Sequence, residues 1–358
     1  MENKGLIFIP DISGFTRFVN ETEIEHSRMI IQELLEIIMS ANQIGLQVSE
    51  IEGDAILFYK FGEPPNLDEL YQQVEKMFCE FHKNILAYDA SRYCQCKACK
   101  ATINLSLKVI THYGEFTDYK IRDFHKLIGK DIIVAHQLLK NDIDLHEYWL
   151  VTTNLLPGQP IAFEQWMNWE KKVKQTEAGE VPFHFTMLTQ LKNKIKPDPL
   201  KQPDLTRKEK MISVSRVYDT DIITLFHACG DFNYRHRWME GVKKVEEINH
   251  LLPRVGMTCK CIMENGEAVV YASSYSYEDE KIVFSETYEK DGSIIYFTLQ
   301  TMVDQKTSLT IDYYIPSHLI AGMLFKMSKK NKLETSLKKS LHNLEDVVKD
   351  IHLPQETF

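Results

Sequence analysis

The residues of this sequence that are best suited to chemistry are two aspartates, each close to a glycine. Asp11 follows an apolar run and is followed by the turn-forming pair Ser13-Gly14, and Asp54 directly follows Gly53. Carboxylate oxygens are the ligands that Mg²⁺ and Mn²⁺ prefer, and two such cations can clamp a polyphosphate. The serine–glycine turn lets backbone N–H groups approach an anion. These residues indicate a candidate site for a metal-bound phosphate, although an ordinary strand exit also fits the first segment alone.

Two predicted elements must bring these carboxylates together. The continuous apolar run Leu6–Ile9 predicts a buried strand, and Pro10 predicts that its ladder ends there, which places Asp11 at a strand end. The segment Val48–Tyr59 has apolar runs on both sides of a Gly-Asp pair and predicts a hairpin with Asp54 at its tip. Helical periodicity predicts a helix between them, over residues 26–41.

The two segments together resemble a known family. FIPDISGFT, followed about forty residues later by EIEGDAILFY, resembles the catalytic domain of class III adenylate and guanylate cyclases, in a divergent bacterial branch. The resemblance implies that Asp11 and Asp54 are catalytic metal ligands for Mg²⁺ or Mn²⁺, with the backbone carbonyl of Ile12 as a third ligand. It implies that the phosphates of a purine nucleotide lie against the backbone amides of Ser13, Gly14, Phe15 and Thr16. It also implies a homodimer, because class III sites form between two subunits.

The sequence departs from this family where turnover is promoted. The segment Lys126–Asn141 predicts a helix opened by a glycine, and class III enzymes carry there an Asn and an Arg that orient the ribose and stabilise the transition-state phosphate. The matching positions are Ile133 and Gln137, which bring no charge to a developing phosphorane. We therefore expect metal and nucleotide binding without efficient cyclase turnover. An active cyclase remains the alternative.

The positions that select the base in this family are also altered. They match Glu50, as in guanylate cyclases, and Lys126, where the family carries an Asp, Thr or Cys. These two side chains could contact a purine. Alternatively, they could pair with each other as a structural salt bridge that fills the base pocket.

A cysteine-rich loop follows the second predicted helix. Cys94, Cys96 and Cys99 lie within six residues, which suits a tetrahedral Zn²⁺ site, and Cys79, His82 and His112 are candidates for a fourth ligand. The spacing lacks the paired C-x-x-C halves of a strong zinc signature. Cysteines that merely pack in a loop, or a redox-sensitive cluster, remain alternatives.

Composition limits the classes of protein that fit. The chain has 358 residues, a formal charge of −9 and seven cysteines. No apolar run is long enough to span a bilayer, and the N-terminus lacks the pattern of a signal peptide, so we expect a cytoplasmic protein with reduced thiols. The negative charge weighs against nucleic acid as a partner.

The length favours two domains, and the predicted fold class is α+β. Residues 1–191 are predicted to form a ferredoxin-like, cyclase-type α/β sandwich that includes a Trp-rich helix over 162–175. Residues 192–210, rich in proline and charge, predict a linker.

Residues 211–358 predict a second domain of one strand, short helices, an antiparallel meander and a long C-terminal helix opened by Pro316-Ser317. This order resembles the START-like (SRPBCC) helix-grip fold, which implies a hydrophobic small molecule as ligand. The candidates to line the mouth of its cavity are His227, Arg235, His236 and His318, although surface or satisfied histidines are the alternative. A third hypothesis is accordingly a carrier or sensor of such a molecule, with the cyclase-like domain as a dimeric scaffold.

Overall fold

The computed structural model describes residues 3–22, 24–92, 96–122, 124–156, 158–196, 205–246, 254–264, 266–278, 280–317 and 330–351. The chain divides into two compact units, of which the first holds residues 1–89 and 97–197 and the second holds 90–96 and 198–358. Both mix helices and strands, as the α+β prediction requires. Cys94, His318 and the predicted start of the C-terminal helix after Ser317 lie outside the described residues.

A seven-stranded sheet forms the centre of the first unit, in the order β2-β3-β1-β4-β7-β9-β8. Only the β4–β7 pair is parallel among its described ladders. Its strands are β1 (Lys4–Ser13), β2 (Gln47–Glu52), β3 (Ala55–Phe61), β4 (Ser106–Glu115), β7 (Tyr148–Thr152), β8 (Glu170–Thr176) and β9 (Gly179–Met187), with β5 (Thr117–Ile121) and β6 (Phe124–Ile128) as a separate hairpin. Its helices are α1 (Phe15–Glu21), α2 (Ile24–Ser40), α3 (Leu67–Ser91), α4 (Lys97–Ala101) and α5 (Lys130–Leu139).

Strand β1 lies in the middle of this sheet and is longer than the sequence predicted. Its residues from Gly5 to Ser13 are buried, which explains the continuous apolar run. The prediction that the ladder ends at Pro10 is wrong, because pairing with β4 continues through Pro10 to Ser13. On the β3 side the ladder has no pair at Ile9 and Pro10 and resumes at Asp11. The strand tolerates the proline because its pairing with β4 continues on both sides of the residue that lacks an N–H donor, while the ladder with β3 is interrupted there.

Two predicted helices of the first unit differ from the structure. The helix predicted over 126–141 begins only at Lys130, because Lys126 belongs to β6 and pairs with Tyr119 of β5. The Trp-rich helix predicted over 162–175 is absent from the described residues, and β8 begins there at Glu170. The segment EKKVKQT forms an edge strand that exposes most of its charged side chains. The helix prediction relied on the two nearby tryptophans and missed this strand.

The second unit is built on an antiparallel sheet of seven strands in the order β10-β16-β15-β14-β13-β12-β11. The strands are β10 (Lys208–Tyr218), β11 (Val242–Glu246), β12 (Thr258–Met263), β13 (Gly266–Glu278), β14 (Lys281–Tyr288), β15 (Ile294–Thr301) and β16 (Thr307–Pro316). The helices are α6 (Ile222–Gly230), α7 (Arg235–Trp238) and α8 (Lys330–Asp350). The long helix α8 buries Leu337, Leu341, Leu344 and Val347 in the core of this unit.

Among the described helices, none combines the length and the apolar character that crossing a bilayer requires.

Candidate metal and nucleotide site

The structure brings the two predicted carboxylates to neighbouring backbone positions. Asp11 of β1 lies opposite Ala55 of β3, and Asp54 occupies the turn directly before that alanine. The amide of Ile12 donates a hydrogen bond to the carbonyl of Asp54, with an N···O distance of 3.0 Å. Gly53 has a φ of +61°. This is the left-handed region, which a tight turn often requires and which glycine adopts more readily than other residues. The turn and the ladder therefore place both aspartates where the C-terminal end of β1 lies beside the N-terminal end of β3.

The two carboxylates influence each other electrostatically. Burial, and then the negative charge of Asp11, raise the pKa of Asp54 from 3.8 to about 6. Burial also raises the pKa of Asp11, and a nearby lysine offsets only part of this effect. Two carboxylates that disfavour each other's ionisation gain from a cation between them, because the cation removes the repulsion.

That nearby lysine is Lys108, which sequence reasoning missed. Its Nζ lies 3.1 Å from Oδ1 of Asp11, and the two side chains are 18% and 12% exposed. The contact follows from register, since Lys108 of β4 stands directly opposite Asp11 of β1. The signal available in the sequence was a single charged residue inside the apolar strand segment LSLKVI.

The predicted phosphate loop follows Asp11 directly. Gly14 has a φ of +91° and accepts a hydrogen bond from the amide of Phe18, with an N···O distance of 3.0 Å, as the chain enters α1. The Ser13 hydroxyl is buried and has no hydrogen-bond partner among the described residues. Phe15 and Thr16 form the first turn of α1. The loop thus carries a left-handed glycine and an unsatisfied hydroxyl beside the carboxylates.

Glu50 and Lys126, at the positions expected to select the base, form an ion pair with each other. Glu50, on β2, is 17% exposed, whereas Lys126 is 44% exposed. His136 of α5 lies 3.9 Å from Glu50 and 3.8 Å from Glu52, so an imidazole also faces this pair. Hydrogen bonding to Glu50 raises the pKa of Lys126. The ammonium group is therefore charged and already occupied by a side chain of the same protein.

Helix α5 carries the two positions that differ from the cyclase pattern. Ile133 is 54% exposed, and the side-chain oxygen of Gln137 is buried without a hydrogen-bond partner among the described residues. Asp131 anchors the start of the helix to β4. Its Oδ2 accepts a hydrogen bond of 2.7 Å from the amide of Glu115, and its Oδ1 lies 2.9 Å from Nε2 of His112. Burial alone would raise the pKa of Asp131, but these contacts outweigh it and hold that pKa below its usual value.

The cysteine loop has a different histidine from those expected. Nδ1 of His26 lies 3.4 Å from Sγ of Cys99, and Cys96 is half-buried. Of the predicted fourth ligands, His82 contacts the Ser106 hydroxyl, and burial lowers its pKa to about 3. His112 is held by Asp131 and by Thr152, and the third candidate, Cys79, is half-buried in α3. No local signal in the sequence pointed to His26, because it lies 73 residues before Cys99.

Comparison with known proteins gives matches in sequence and matches in structure. Residues 31–148 match a family model described as "Protein of unknown function (DUF2652)". The chain is 29% identical over 129 residues to "Uncharacterized protein Rv2561/Rv2562" of Mycobacterium tuberculosis, which covers 34% of this chain. The match spans only 56% of the length of that relative.

The structural matches include guanylyl and adenylyl cyclases. The catalytic core of a rhodopsin-guanylyl cyclase with converted specificity, solved in complex with ATPαS, is 14% identical with a TM-score of 0.37. The guanylyl cyclase domain of the RhoGC fusion protein from the aquatic fungus Blastocladiella emersonii is 12% identical with a TM-score of 0.35. Each match covers 52% of this chain and 96% of the solved chain.

Proposed function

We propose that the first unit binds a divalent cation, Mg²⁺ or Mn²⁺, together with a purine nucleotide at Asp11 and Asp54. The observation that carries this proposal is the placement of one carboxylate on β1 and the other in the turn directly before β3, close enough that Asp11 raises the pKa of Asp54. Ionised carboxylates are hard oxygen donors of the kind that fits both cations. The carbonyl of Ile12 and the amides of residues 13–16 complete the proposed cradle.

Lys108 has a specific place in this proposal. Without a bound cation its ammonium group neutralises Asp11 at 3.1 Å. When a cation occupies the carboxylates, the ammonium becomes available to the phosphates, which are stronger partners for a lysine than a carboxylate already bound to metal. The donor set therefore fits a cation that arrives with a polyphosphate.

We further propose that turnover is inefficient, so that the unit acts as a signalling or regulatory module. Ile133 and Gln137 replace the polar and charged groups that a cyclase uses on the transition state, and such a loss typically costs several kcal/mol of barrier. The Lys126–Glu50 ion pair also occupies the positions expected to select the base. An active adenylate or guanylate cyclase is the alternative, favoured by the retained carboxylate pair.

For the second unit we propose a START-like arrangement that binds a hydrophobic small molecule. The support is the order of its elements: one strand, two short helices, an antiparallel meander and the long helix α8. In the alternative function, a carrier or sensor of that molecule, the first unit serves as a dimeric scaffold. The proposed homodimer forms through the first unit and is tested by sedimentation of the purified chain.

The experiment that separates these functions uses the full chain with Mn²⁺ and ATP or GTP. A nucleotide that binds the native state raises stability, by about 2.7 kcal/mol at a hundred times its dissociation constant. We expect such a rise in the melting temperature for the wild type and none for Asp54→Asn. Glu177→Gln, which changes an exposed carboxylate in a turn of the same unit, is the matched control.

Chromatography of the nucleotide after long incubation measures its conversion in the same samples. Release of cyclic nucleotide at the rate of an ordinary enzyme would establish the cyclase alternative. Absence of any nucleotide-dependent stabilisation would refute the binding proposal and leave the scaffold alternative.

The second unit is tested separately by extracting purified protein with organic solvent and analysing the extract by mass spectrometry. A stoichiometric apolar compound supports the ligand, and an empty extract combined with no uptake of fatty acids or aromatic probes refutes it.

A further inference from the structure

A third strand brings a tyrosine to the end of the sheet where the two aspartates lie. Lys108 of β4 stands opposite Asp11 of β1, and the parallel ladder between β4 and β7 pairs Val109 with Trp149. One position earlier on each strand, Tyr148 is therefore the neighbour of Lys108. Paired residues of adjacent strands point to the same face of a sheet, so Asp11, Lys108 and Tyr148 form a row across three strands.

Asn141, just after the end of α5, holds the hydroxyl group of Tyr148 in place. Its Nδ2 donates hydrogen bonds of 2.7 Å to Oη of Tyr148 and to the carbonyl of Leu138. Its Oδ1 accepts a hydrogen bond of 2.9 Å from the amide of Ile143. Both hydrogens and the oxygen of this side-chain amide are thereby engaged, which fixes its orientation. The hydroxyl oxygen of Tyr148 therefore acts as an acceptor toward Asn141.

The hydroxyl hydrogen of Tyr148 has no acceptor within the part of the chain that the structure describes. Tyr148 is only 2% exposed, so bulk water satisfies this donor poorly. Burial raises the pKa of Tyr148 to about 12, and the charge of Asp11 adds to this effect while the hydrogen bond from Asn141 opposes it. The hydroxyl group therefore keeps its hydrogen at neutral pH and lies within electrostatic reach of the Asp11 carboxylate. A buried donor of this kind gains most from an acceptor that a ligand brings.

We propose that Tyr148 donates this hydrogen to a phosphate oxygen of the ligand held at Asp11 and Asp54, as a binding residue that selects a polyphosphate. The inference rests on the proposed function and names the part of the ligand that the hydroxyl recognises. A phenol hydroxyl beside an ammonium group, here that of Lys108, is a pair of donors suited to phosphate oxygens. The row opens to solvent at Lys108, whose side chain is 18% exposed. Because β1 and β7 lie two strand spacings apart, about 10 Å, an extended polyphosphate fits the row better than a single phosphate.

Calorimetric titration of the full chain in excess Mn²⁺ tests this assignment. Tyr148→Phe removes only the hydroxyl group, and we expect it to weaken binding of a non-hydrolysable nucleoside triphosphate about 10-fold or more, as the loss of a hydrogen bond to a charged group does. Binding of inorganic tripolyphosphate should weaken by the same factor, whereas the affinities for the nucleoside monophosphate and for Mn²⁺ alone should stay as in the wild type. Tyr71→Phe is the matched control and should leave every affinity unchanged, because Tyr71 is another buried tyrosine of the same unit, with its hydroxyl 3.4 Å from Glu164.

The outcomes separate this assignment from the proposed function and from a structural role of the hydroxyl. If the wild type binds neither the triphosphate nucleotide nor tripolyphosphate, the proposed function fails, and the assignment fails with it. If the wild type binds both ligands and Tyr148→Phe binds them equally well, only the assignment is overturned. A lower melting temperature of the unliganded variant would then mean that the hydroxyl serves only as the acceptor for Asn141. A loss confined to the nucleotide, with tripolyphosphate unaffected, also overturns the assignment, because the hydroxyl would then contact the nucleoside.

Discussion

Replacing Asp54 by asparagine should stabilise the protein at neutral pH while it removes the proposed metal ligand. Burial and the charge of Asp11 raise the pKa of Asp54 from 3.8 to about 6, so the folded state disfavours the ionised carboxylate. Well below pH 3.8 both the folded and the unfolded state carry the proton, so the raised pKa of Asp54 does not affect stability there. As the pH rises to 6 the unfolded state releases its proton first, so stability falls over this range and the full cost persists above it.

The size of this cost can be worked from the same values. The difference between 3.8 and about 6 corresponds to at most about 3 kcal/mol. Because Asp54 is only partly buried, solvent screening reduces the expected value to about 1–2 kcal/mol. For a unit of this size, that free energy raises the melting temperature by about 3–6 °C. The substituted asparagine would avoid the cost because an amide has the shape of the carboxylic acid and no charge.

Differential scanning calorimetry at pH 4 and pH 7.5, without divalent cations, measures this change on the transition of the first unit. We expect Asp54→Asn to melt higher than the wild type at pH 7.5 and by a much smaller margin at pH 4, with Glu177→Gln unchanged at both. Excess Mn²⁺ should narrow or reverse the difference at pH 7.5, because only the wild type gains a bound cation. An equal gain at both pH values, or no gain at pH 7.5, would refute the electrostatic account.

Four further single substitutions each test one contact of the fold. Lys108→Met should lower the free energy of unfolding by about 2 kcal/mol at pH 7, since it leaves a largely buried carboxylate unpaired, and urea denaturation with an unchanged midpoint would contradict this. Arg235→Met and Glu286→Leu should each cost about 3–5 kcal/mol, because each breaks a fully buried ion pair. The double variant should recover most of that loss, and additive losses in urea would argue against the pair as their cause. Gly114→Ala should lower the free energy of unfolding by about 1–3 kcal/mol, because its Cβ would lie 2.2 Å from Cγ of Asp131. A melting temperature equal to that of the wild type would show that α5 can shift to make room for the methyl group.

The sequence was most informative where a local pattern and a resemblance agreed. The antiparallel meander predicted within residues 211–358 is present as strands β12–β16, since alternating side chains and the intervening turns define such strands locally. The resemblance to the cyclase pattern singled out Glu50 and Lys126 together, 76 residues apart in the chain, and the structure pairs their side chains.

The sequence was least informative where pairing over long distances decides which side chains meet. Lys108 faces Asp11 only because of the register between β4 and β1, and nothing local to either strand reveals that register. His26 approaches Cys99 because α2 packs against α4, a contact across 73 residues. Arg235, a candidate from the sequence for a pocket mouth, is instead buried against Glu286, because the partner lies on a strand 51 residues further along the chain.

The lysine beside Asp11 makes ligand binding at the proposed site an exchange of partners. A cation alone must draw Asp11 away from Lys108 and leave a largely buried ammonium group without its carboxylate, which opposes binding. A nucleotide supplies phosphates for that ammonium group, so each ligand should strengthen the other, and the coupling must be equal in both directions.

We therefore expect a non-hydrolysable nucleotide to tighten Mn²⁺ binding by about 5-fold to 150-fold in the wild type, the range of typical coupling. Lys108→Met should bind Mn²⁺ alone more tightly than the wild type, because no ammonium group competes, and should show weaker coupling to the nucleotide. Titrations of Mn²⁺ followed by electron paramagnetic resonance, with and without nucleotide, measure all four constants. The same coupling in both proteins would mean that Lys108 is a structural partner of Asp11 and has no part in the exchange.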